Sequence, residues 1–463
     1  MAPSTLFASA LAVAGVLAAP QSTRLDYRTI DPAEPSVFEP YPYIDNTNTT
    51  LNGTAVPAHV DSAHFRIYLG TSTTEAQAIK ALNPLEAAYD CFVGKLGFKS
   101  SGLNQYGTPE KGPYYKTDFS MVDTLPNGES YSGFASYSTT TGRATVRIRN
   151  GNLEYPYLSV HEWGHVLHWH QGLNNAWARI PNCQPWSEAL ANWVADVYLT
   201  SGDDLCGTSR TKFNASGGDS IYDPYKVVGK SYLSLIDATD RTTGNPYEAW
   251  PFFQYLFQNP DNYEGLGRDV VPAMLRATPD VGTDETPLHA LQRVMGDSRK
   301  VQDVVAKYWA RMANGDIGHE AIGRDTLQNK RFLNMENFGN PTANGTFRVN
   351  AGKGAQYMGA TMGKLVMADG VTHADVKVTA VNATMGFTAM FAVRDSATSK
   401  VRYLTLENGS GSVDLASTED ATLVVVNTPA TLLKYNAGIL NMTEAARPLD
   451  FSVSMTGATF DKY

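Results

Sequence analysis

The sequence has few cysteines, little charge and no excess of positive charge. Its 463 residues include three cysteines, so at most one disulfide can form within the chain. Charged residues make up 18% of the chain and the formal net charge is −9, which disfavours a nucleic-acid partner because such a partner requires a basic surface. With 43% hydrophobic residues the chain can build a core, and its length allows two or three domains.

Long apolar runs are also missing, because no segment of about 20 residues is apolar enough for a membrane span. The apolar run from Leu6 is shorter and leads to small residues, a pattern typical of a secretory signal cleaved after Ala18. The alternative is an apolar N-terminal helix. Seven N-x-S/T sequons agree with export of a glycoprotein, at Asn48, Asn52, Asn214, Asn344, Asn382, Asn408 and Asn441. We therefore expect a secreted, extracellular protein whose residues 1–18 are a signal peptide.

Export has a consequence for the cysteines. In an oxidising compartment two of the three are expected to pair and one thiol is left over. Cys183 and Cys206 flank a predicted helix, so we expect these two to form the disulfide. The alternative is three buried free thiols.

The chain divides by composition. Residues 19–58 are rich in Pro, Asn, Thr and Asp and are expected to be a linker or a propeptide. Over residues 59–335, strands are predicted at HFRIYLG, TDFSMVDTL, GFASYST and RATVRIRNG, and a block of helices follows, which indicates an α+β domain. Residues 340–463 contain short alternating segments separated by turns, which is typical of an all-β sandwich. Six strands are predicted here, at GTFRVNAG, ADVKVTAV, GFTAMFAVRD, VRYLTLEN, ATLVVVNTP and LDFSVSMTG.

One short apolar segment, SVHEWGHVLHWHQG, contains four histidines and one glutamate. His161 and His165 are four residues apart, so in a helix both imidazoles project from one face about one turn apart. This H-E-x-x-H spacing allows two imidazoles to reach one zinc ion and the intervening Glu162 to reach a water on it. The alternative is a partly buried helix with hydrogen-bonded histidines.

A third protein ligand cannot come from the same helix. His168 lies about 10 Å beyond His161 in a straight helix at about 1.5 Å per residue, whereas zinc–nitrogen bonds are about 2 Å long. The metzincin arrangement, in which a glycine turns the chain before a later histidine, is missing: His168 stands at the glycine's position and Gln171 at the histidine's. We therefore expect His168 and His170 to be polar neighbours of the site.

The next predicted helix, SEALANWVADVYLTSG, offers the missing ligand. Glu188 lies 23 residues after His165, which is enough for a turn and an antiparallel return. Glu188 can complete a His₂Glu zinc site with an open fourth position for water. The alternative is a first-turn carboxylate stabilised by the helix dipole. Asn192 and Asp196 follow on the same face, where one could accept a hydrogen bond from a ligand histidine; the alternative is a solvated helix face.

These residues resemble a known class of enzyme. HEWGH followed by WSEALANWVAD is similar to the gluzincin metallopeptidases, in which a glutamate of the next helix completes an HExxH site. More narrowly, HFRIYLG, LEAAYDCFVGKLGF, HEWGHVL and YEAWPFFQYL resemble the Svx-type avirulence family of secreted peptidases, from about residue 60 to the C-terminus. The resemblance implies a gluzincin-like catalytic domain, Zn²⁺ bound by His161, His165 and Glu188, and Glu162 as the catalytic acid/base.

The chain departs from the gluzincin pattern at one position. Gluzincins often have a carboxylate four residues after the ligand glutamate, and this sequence has Asn192 at that position. The difference affects the expected hydrogen-bond partner of a ligand histidine. It does not affect the three expected ligands. No motif marks the group that stabilises the oxyanion. Tyr247 is the candidate and His289 the reserve, and either could instead be packed in a helix. The expected activity is zinc-dependent hydrolysis of peptide bonds in a protein or peptide substrate.

Two other functions fit the same residues. Five of the seven tryptophans fall within a stretch of 31 residues, and aromatic faces stack on sugars, so Glu162 and Glu188 could be the paired carboxylates of a glycan-active enzyme. That interpretation gives no role to two of the histidines. Alternatively, the protein is a secreted binding protein that keeps the zinc helix for structure. In either case the C-terminal β region could bind a glycan or another protein, or brace the catalytic domain.

Overall fold

The computed structural model describes residues 35–41, 57–69, 73–100, 102, 114–123, 132–137, 143–171, 177, 180–239, 245–279, 283–329, 336–381 and 386–461. Within these ranges the chain forms ten α-helices and three mostly antiparallel sheets, which confirms an α+β fold. The predicted signal peptide at residues 1–18 lies outside the described residues. No helix among the described residues is long and apolar enough to cross a membrane.

The strands are β1 His59–Asp61, β2 Phe65–Tyr68, β3 Thr117–Val122, β4 Gly133–Tyr137, β5 Ala144–Arg149, β6 Thr346–Arg348, β7 Ala360–Met367, β8 His373–Ala380, β9 Phe387–Asp395, β10 Val401–Thr405, β11 Ser410–Asp414, β12 Glu419–Asn427, β13 Phe451–Thr456 and β14 Ala458–Phe460. The helices are α1 Glu75–Tyr89, α2 Pro156–Trp169, α3 Trp186–Thr200, α4 Cys206–Lys212, α5 Pro224–Val227, α6 Trp250–Gln258, α7 Val270–Ala277, α8 Pro287–Met295, α9 Val301–Met312 and α10 Glu320–Gln328. A π-helical segment, Asp90–Lys95, continues α1, and short 3₁₀ helices form at Ala437–Met442 and Glu444–Ala446.

The first sheet has five strands in the order β1-β2-β3-β5-β4. Strands β2, β3 and β5 run parallel, and the outer strands β1 and β4 are antiparallel to their neighbours. One row across the centre pairs Ile67 with Phe119, Phe119 with Val146 and Val146 with Ala135. The first three of these side chains are fully buried, and α1 and α2 pack against the sheet. The four strands predicted in this region are confirmed, and β1 was not predicted.

Part of the predicted linker or propeptide packs on this sheet. Glu39 forms a parallel bridge with Tyr115, immediately before β3. Phe38 is 2% exposed and its ring contacts His64, Tyr89 and Tyr114. A Cβ atom at Gly102 would collide with the Phe38 ring, so the pocket is closed around this side chain. Residues 35–41 therefore belong to the folded unit.

The disulfide joins different cysteines from those predicted. Cys91, in the π-helical segment after α1, is bonded to Cys206 at the start of α4. Cys183 is a buried free thiol whose Sγ lies 3.4 Å from the carbonyl oxygen of Glu285. The predicted Cys183–Cys206 pair is wrong because closeness along the chain was used as the guide, whereas the partner lies 115 residues away.

The C-terminal region forms two antiparallel sheets, with strand orders β10-β9-β12-β7-β14 and β11-β8-β13-β6. Side chains from both sheets share one apolar core, which includes Phe391, Leu423 and Phe451. The predicted sandwich arrangement is therefore present, and the six strands predicted here correspond to β6, β8, β9, β10, β12 and β13. Strands β7, β11 and β14 were not predicted.

The sandwich is packed against the helical part of the molecule. Met390, Ala392, Val424 and Val426, on strands β9 and β12, belong to the same apolar core as the helices. Helix α9 contacts both strands, and its Trp309 donates an indole hydrogen bond of 2.8 Å to the carbonyl of Met358. An apolar junction of this kind fixes the sandwich against the helices.

Candidate metal centre

The site depends on close packing between α2 and α3. Pro156 opens α2, where its missing N–H has no cost, and the face of α2 toward the core is apolar. Gly164 lies where the two helices meet, because a Cβ atom there would stand 3.1 Å from Ala191 Cα and 3.3 Å from Val194 Cβ. A larger residue would push the helices apart. No pattern in the sequence marks Gly164, because its role depends on residues of another helix.

The structure brings the three predicted ligands together. Glu188 Oε2 lies 3.4 Å from His161 Nε2 and 3.4 Å from His165 Nε2. One ligand atom from each of the three side chains lies within 4.8 Å of the others, and no other such group of His, Cys, Asp or Glu occurs among the described residues. Both imidazoles are buried, while the Glu188 side chain is 26% exposed, so the cluster opens to solvent on the glutamate side.

These distances fit a tetrahedral zinc ion. Two ligand atoms at about 2.0–2.1 Å from zinc, with a tetrahedral angle between them, are about 3.4 Å apart. Both nitrogen–oxygen distances to Glu188 equal this value. Two imidazoles and one carboxylate are also a donor set that zinc prefers. The residues present therefore fit the predicted metal.

Neighbouring groups favour the ionised form of Glu188, which is the form that binds a metal ion. Burial alone would raise the pKa of its carboxyl group, but the neighbouring imidazoles of His165 and His161 hold that pKa well below its ordinary value. Glu188 is therefore ionised at neutral pH and can donate a lone pair to a cation.

Glu162 lies beside the ligands under strand β4. A Cβ atom at Gly133 would stand 2.7 Å from Glu162 Oε1, so the glycine leaves room for the carboxyl group. The pKa of Glu162 is raised to about 7, mainly by burial, which outweighs the lowering by His161; Glu188 also raises this pKa and the backbone of Ala135 lowers it. A divalent cation at the ligands would favour the carboxylate and lower this pKa. Nothing in the sequence marks Gly133, because only the fold brings β4 over α2.

Asn192 contacts His161, one of the predicted ligands. Its Oδ1 lies 2.8 Å from His161 Nδ1 and accepts a hydrogen bond of 2.8 Å from the Tyr157 hydroxyl. Its Nδ2 donates to the carbonyl oxygen of Tyr247 at 2.8 Å. The Tyr247 ring stacks on His161, with ring centroids 6.2 Å apart. Tyr247 therefore lies at the site, and Tyr157, one turn before His161, could have been found from the helical spacing.

Asp196, the other predicted partner of a ligand histidine, lies in a separate polar cluster. Its carboxylate is fully buried and contacts His319 Nε2 at 2.8 Å, the Ser220 hydroxyl at 2.7 Å and the backbone N–H of Ile221 at 3.0 Å. The prediction that one of the two residues contacts a ligand histidine is met by Asn192.

The remaining histidines lie outside the ligand group. His168 is 3% exposed, neither ring nitrogen has a hydrogen-bond partner among the described residues, and burial lowers its pKa well below the ordinary value. His170 Nδ1 lies 2.7 Å from the carbonyl oxygen of Val166. The reserve residue His289 uses its Nδ1 to cap its own helix at Thr286.

The clustered tryptophans are core residues. None of the five is more than 7% exposed: Trp163, Trp169, Trp177, Trp186 and Trp193. Their aromatic faces pack against other rings of the core, among them Phe92, Phe98 and Phe253. No tryptophan of this stretch offers an open face for a sugar.

The chain matches no protein-family model, and no curated protein is similar to it in sequence. The interpretation of the centre therefore depends on its own geometry.

Proposed function

We propose that this protein is a secreted zinc metallopeptidase of the gluzincin type. The observation that carries the proposal is the convergence of His161, His165 and Glu188, with both imidazole Nε2 atoms 3.4 Å from Glu188 Oε2 and with Glu162 next to His161 on the same helix. A zinc ion at these ligands would lower the pKa of a bound water toward neutrality and polarise a substrate carbonyl.

The protein residues then have separate tasks. Glu162 accepts the proton of the attacking water and passes it to the leaving nitrogen, so the peptide bond is hydrolysed without a covalent enzyme intermediate. Asn192 holds His161, and Tyr247 is the candidate for stabilising the negative oxygen that develops on the carbonyl. The negative charge of Glu188 would offset one of the two positive charges of a zinc ion.

The strand next to Glu162 supports a peptide substrate. Strand β4 is at the edge of the first sheet and, among the described residues, pairs only with β5. An extended peptide can add to such an edge through main-chain hydrogen bonds. The burial of all five tryptophans removes the observation that favoured a glycan substrate.

The direct test is the substitution Glu162→Gln, which removes the proton acceptor and keeps the size of the side chain. Zinc content should remain that of the wild type, while hydrolysis of casein should fall by about 10²–10⁴-fold. Glu154→Gln is the matched control, because Glu154 is a partly exposed glutamate just before the same helix. Full activity of the Glu162 variant, or wild-type activity that survives removal of zinc by a chelator, would contradict the proposal.

A further inference from the structure

The two ends of the Asn192 side chain face different parts of the metal centre. Oδ1 lies 2.8 Å from His161 Nδ1 and 2.8 Å from the Tyr157 hydroxyl, while Nδ2 lies 2.8 Å from the Tyr247 carbonyl oxygen. Asn192 is 5% exposed, so bulk water does not compete for these partners. One amide therefore connects α2, α3 and the segment before α6.

The carbonyl of Tyr247 determines which way the amide points. A carbonyl oxygen can only accept a hydrogen bond, so the Asn192 atom that faces it must be the NH₂ group. The amide oxygen is then directed at His161, and because this oxygen also only accepts, the proton must be on His161 Nδ1. Nε2 keeps the lone pair, and Nε2 is the atom that faces Glu188 at 3.4 Å.

We propose that Asn192 is a positioning residue that couples residues 245–250, the Tyr247 segment, to the metal centre. The carbonyl of Tyr247 orients the amide, the amide sets the tautomer of His161, and the same amide holds Tyr247 beside the His161 ring. This inference rests on the proposed peptidase function only for its effect on catalysis.

An aspartate at this position could replace only the acceptor contacts of Asn192. Its carboxylate could accept hydrogen bonds from His161 and Tyr157 as the asparagine does. Its second oxygen would face the Tyr247 carbonyl, and two acceptors at 2.8 Å repel each other. The NH₂ group of Asn192 is therefore the group that holds the Tyr247 segment in place.

The substitution Asn192→Asp separates the two roles of the amide, which are to accept a hydrogen bond from His161 and to donate one to the carbonyl of Tyr247. Zinc affinity should stay within about threefold of the wild type, because the acceptor for His161 is kept. Amide hydrogen exchange over residues 245–250 should become faster, and kcat should fall by about tenfold or more with a smaller change in KM, because the group beside the metal is displaced. Asn192→Leu removes both tasks and should also weaken zinc binding by about 10–100-fold.

Asn337→Asp is the matched control. Asn337 is also a buried asparagine, 6% exposed, whose Nδ2 donates to a main-chain carbonyl, that of Met362 at 2.8 Å, but it lies beside the C-terminal sandwich. Its variant should lose stability without a change in kcat or in exchange over residues 245–250.

Two results would overturn the coupling: an unchanged kcat in Asn192→Asp, or unchanged exchange over residues 245–250 in that variant. Failure of the peptidase function itself looks different, because the wild-type enzyme would then hydrolyse no peptide. The exchange and zinc-affinity measurements would still decide whether the amide holds the Tyr247 segment and His161.

Discussion

At the scale of single residues, neighbouring groups fix the protonation of Glu188 and Tyr157 at the candidate metal centre. The imidazoles offset the effect of burial on Glu188 and keep its pKa well below the ordinary value. Burial raises the pKa of Tyr157, so its hydroxyl stays protonated and donates to Asn192. The charge of Glu188 and the hydrogen-bond donor at Tyr157 are thus fixed before any substrate arrives.

Glu188→Gln tests whether this carboxylate is a ligand or only a favourable charge in the first turn of a helix. As a ligand, its loss should weaken zinc binding by more than about 100-fold, since one of three protein ligands loses its charge. Glu75 is the control, because it is an exposed acidic residue in the first turn of α1. Each variant should lose about 0.3–1 kcal/mol of helix-dipole stabilisation, but only Glu188→Gln should lose the metal. Equal zinc content in both variants would contradict the ligand assignment.

The cluster of His161, His165 and Glu188 could be predicted from the sequence because the spacing of these residues along two helices carries the information. Tyr157 was missed although it follows the same helical spacing. Gly133 and Gly164 could not be predicted, because each glycine makes room for an atom of a different element, and the sequence does not say which elements meet.

At the scale of elements, the centre depends on two helices that pack closely enough for one to supply a ligand to the other. The contact at Gly164 brings α3 close to α2, and the edge strand β4 covers Glu162 from the other side. The helices and strands that contribute the site were predicted from periodicity. Their mutual distance was not, since it depends on the size of single side chains at the contact.

Gly164→Val should damage both the packing and the site. The added carbons collide with Ala191 and Val194, which should lower the free energy of unfolding by about 1–3 kcal/mol and weaken zinc binding. Gly94→Val is the control, because no atom lies within 4 Å of a Cβ at Gly94, and its stability should change by less than about 0.5 kcal/mol. Chemical denaturation and zinc titration of the two variants measure the difference. Equal zinc affinity would show that the close contact is not required.

The disulfide links two elements that are distant in sequence. Replacing Cys91 and Cys206 by alanine should lower the free energy of unfolding by about 2–5 kcal/mol, because the crosslink closes a long loop. Cys183→Ala should cost about 1 kcal/mol, as expected for a small buried side chain. Thiol labelling of the unfolded, unreduced protein should modify Cys183. Labelling of Cys91 instead would indicate that Cys183 and Cys206 form the disulfide, as expected from the sequence.

At the scale of the whole molecule, the described chain has two apolar cores that share a junction. The sandwich core lies between two sheets, and the larger core extends from the first sheet through the helices to the outer face of β9 and β12. The division of the chain into domains near residues 335–340 stays a prediction, since side chains of β9 and β12 belong to the larger core. The long-range contacts that join them, like the partner of Cys206, leave no local signal in the sequence.

The segment before the first sheet provides a test of this larger core. Phe38→Ala should lower the free energy of unfolding by about 3–5 kcal/mol, because the aromatic ring fills a closed pocket. The neighbouring Val37 is 60% exposed, so Val37→Ala should change stability by less than about 0.5 kcal/mol. Urea unfolding of both variants gives the comparison. Similar values for the two would mean that residues 35–41 do not belong to the folded unit.

The central claim is that two imidazoles of α2 and one carboxylate of α3 hold a zinc ion. Anomalous diffraction at the zinc absorption edge, from crystals of the purified protein, tests it most directly. We expect one strong peak about 2.0–2.2 Å from His161 Nε2, His165 Nε2 and the Glu188 carboxylate. Crystals without a peak at this position, or with zinc bound only elsewhere, would contradict the account.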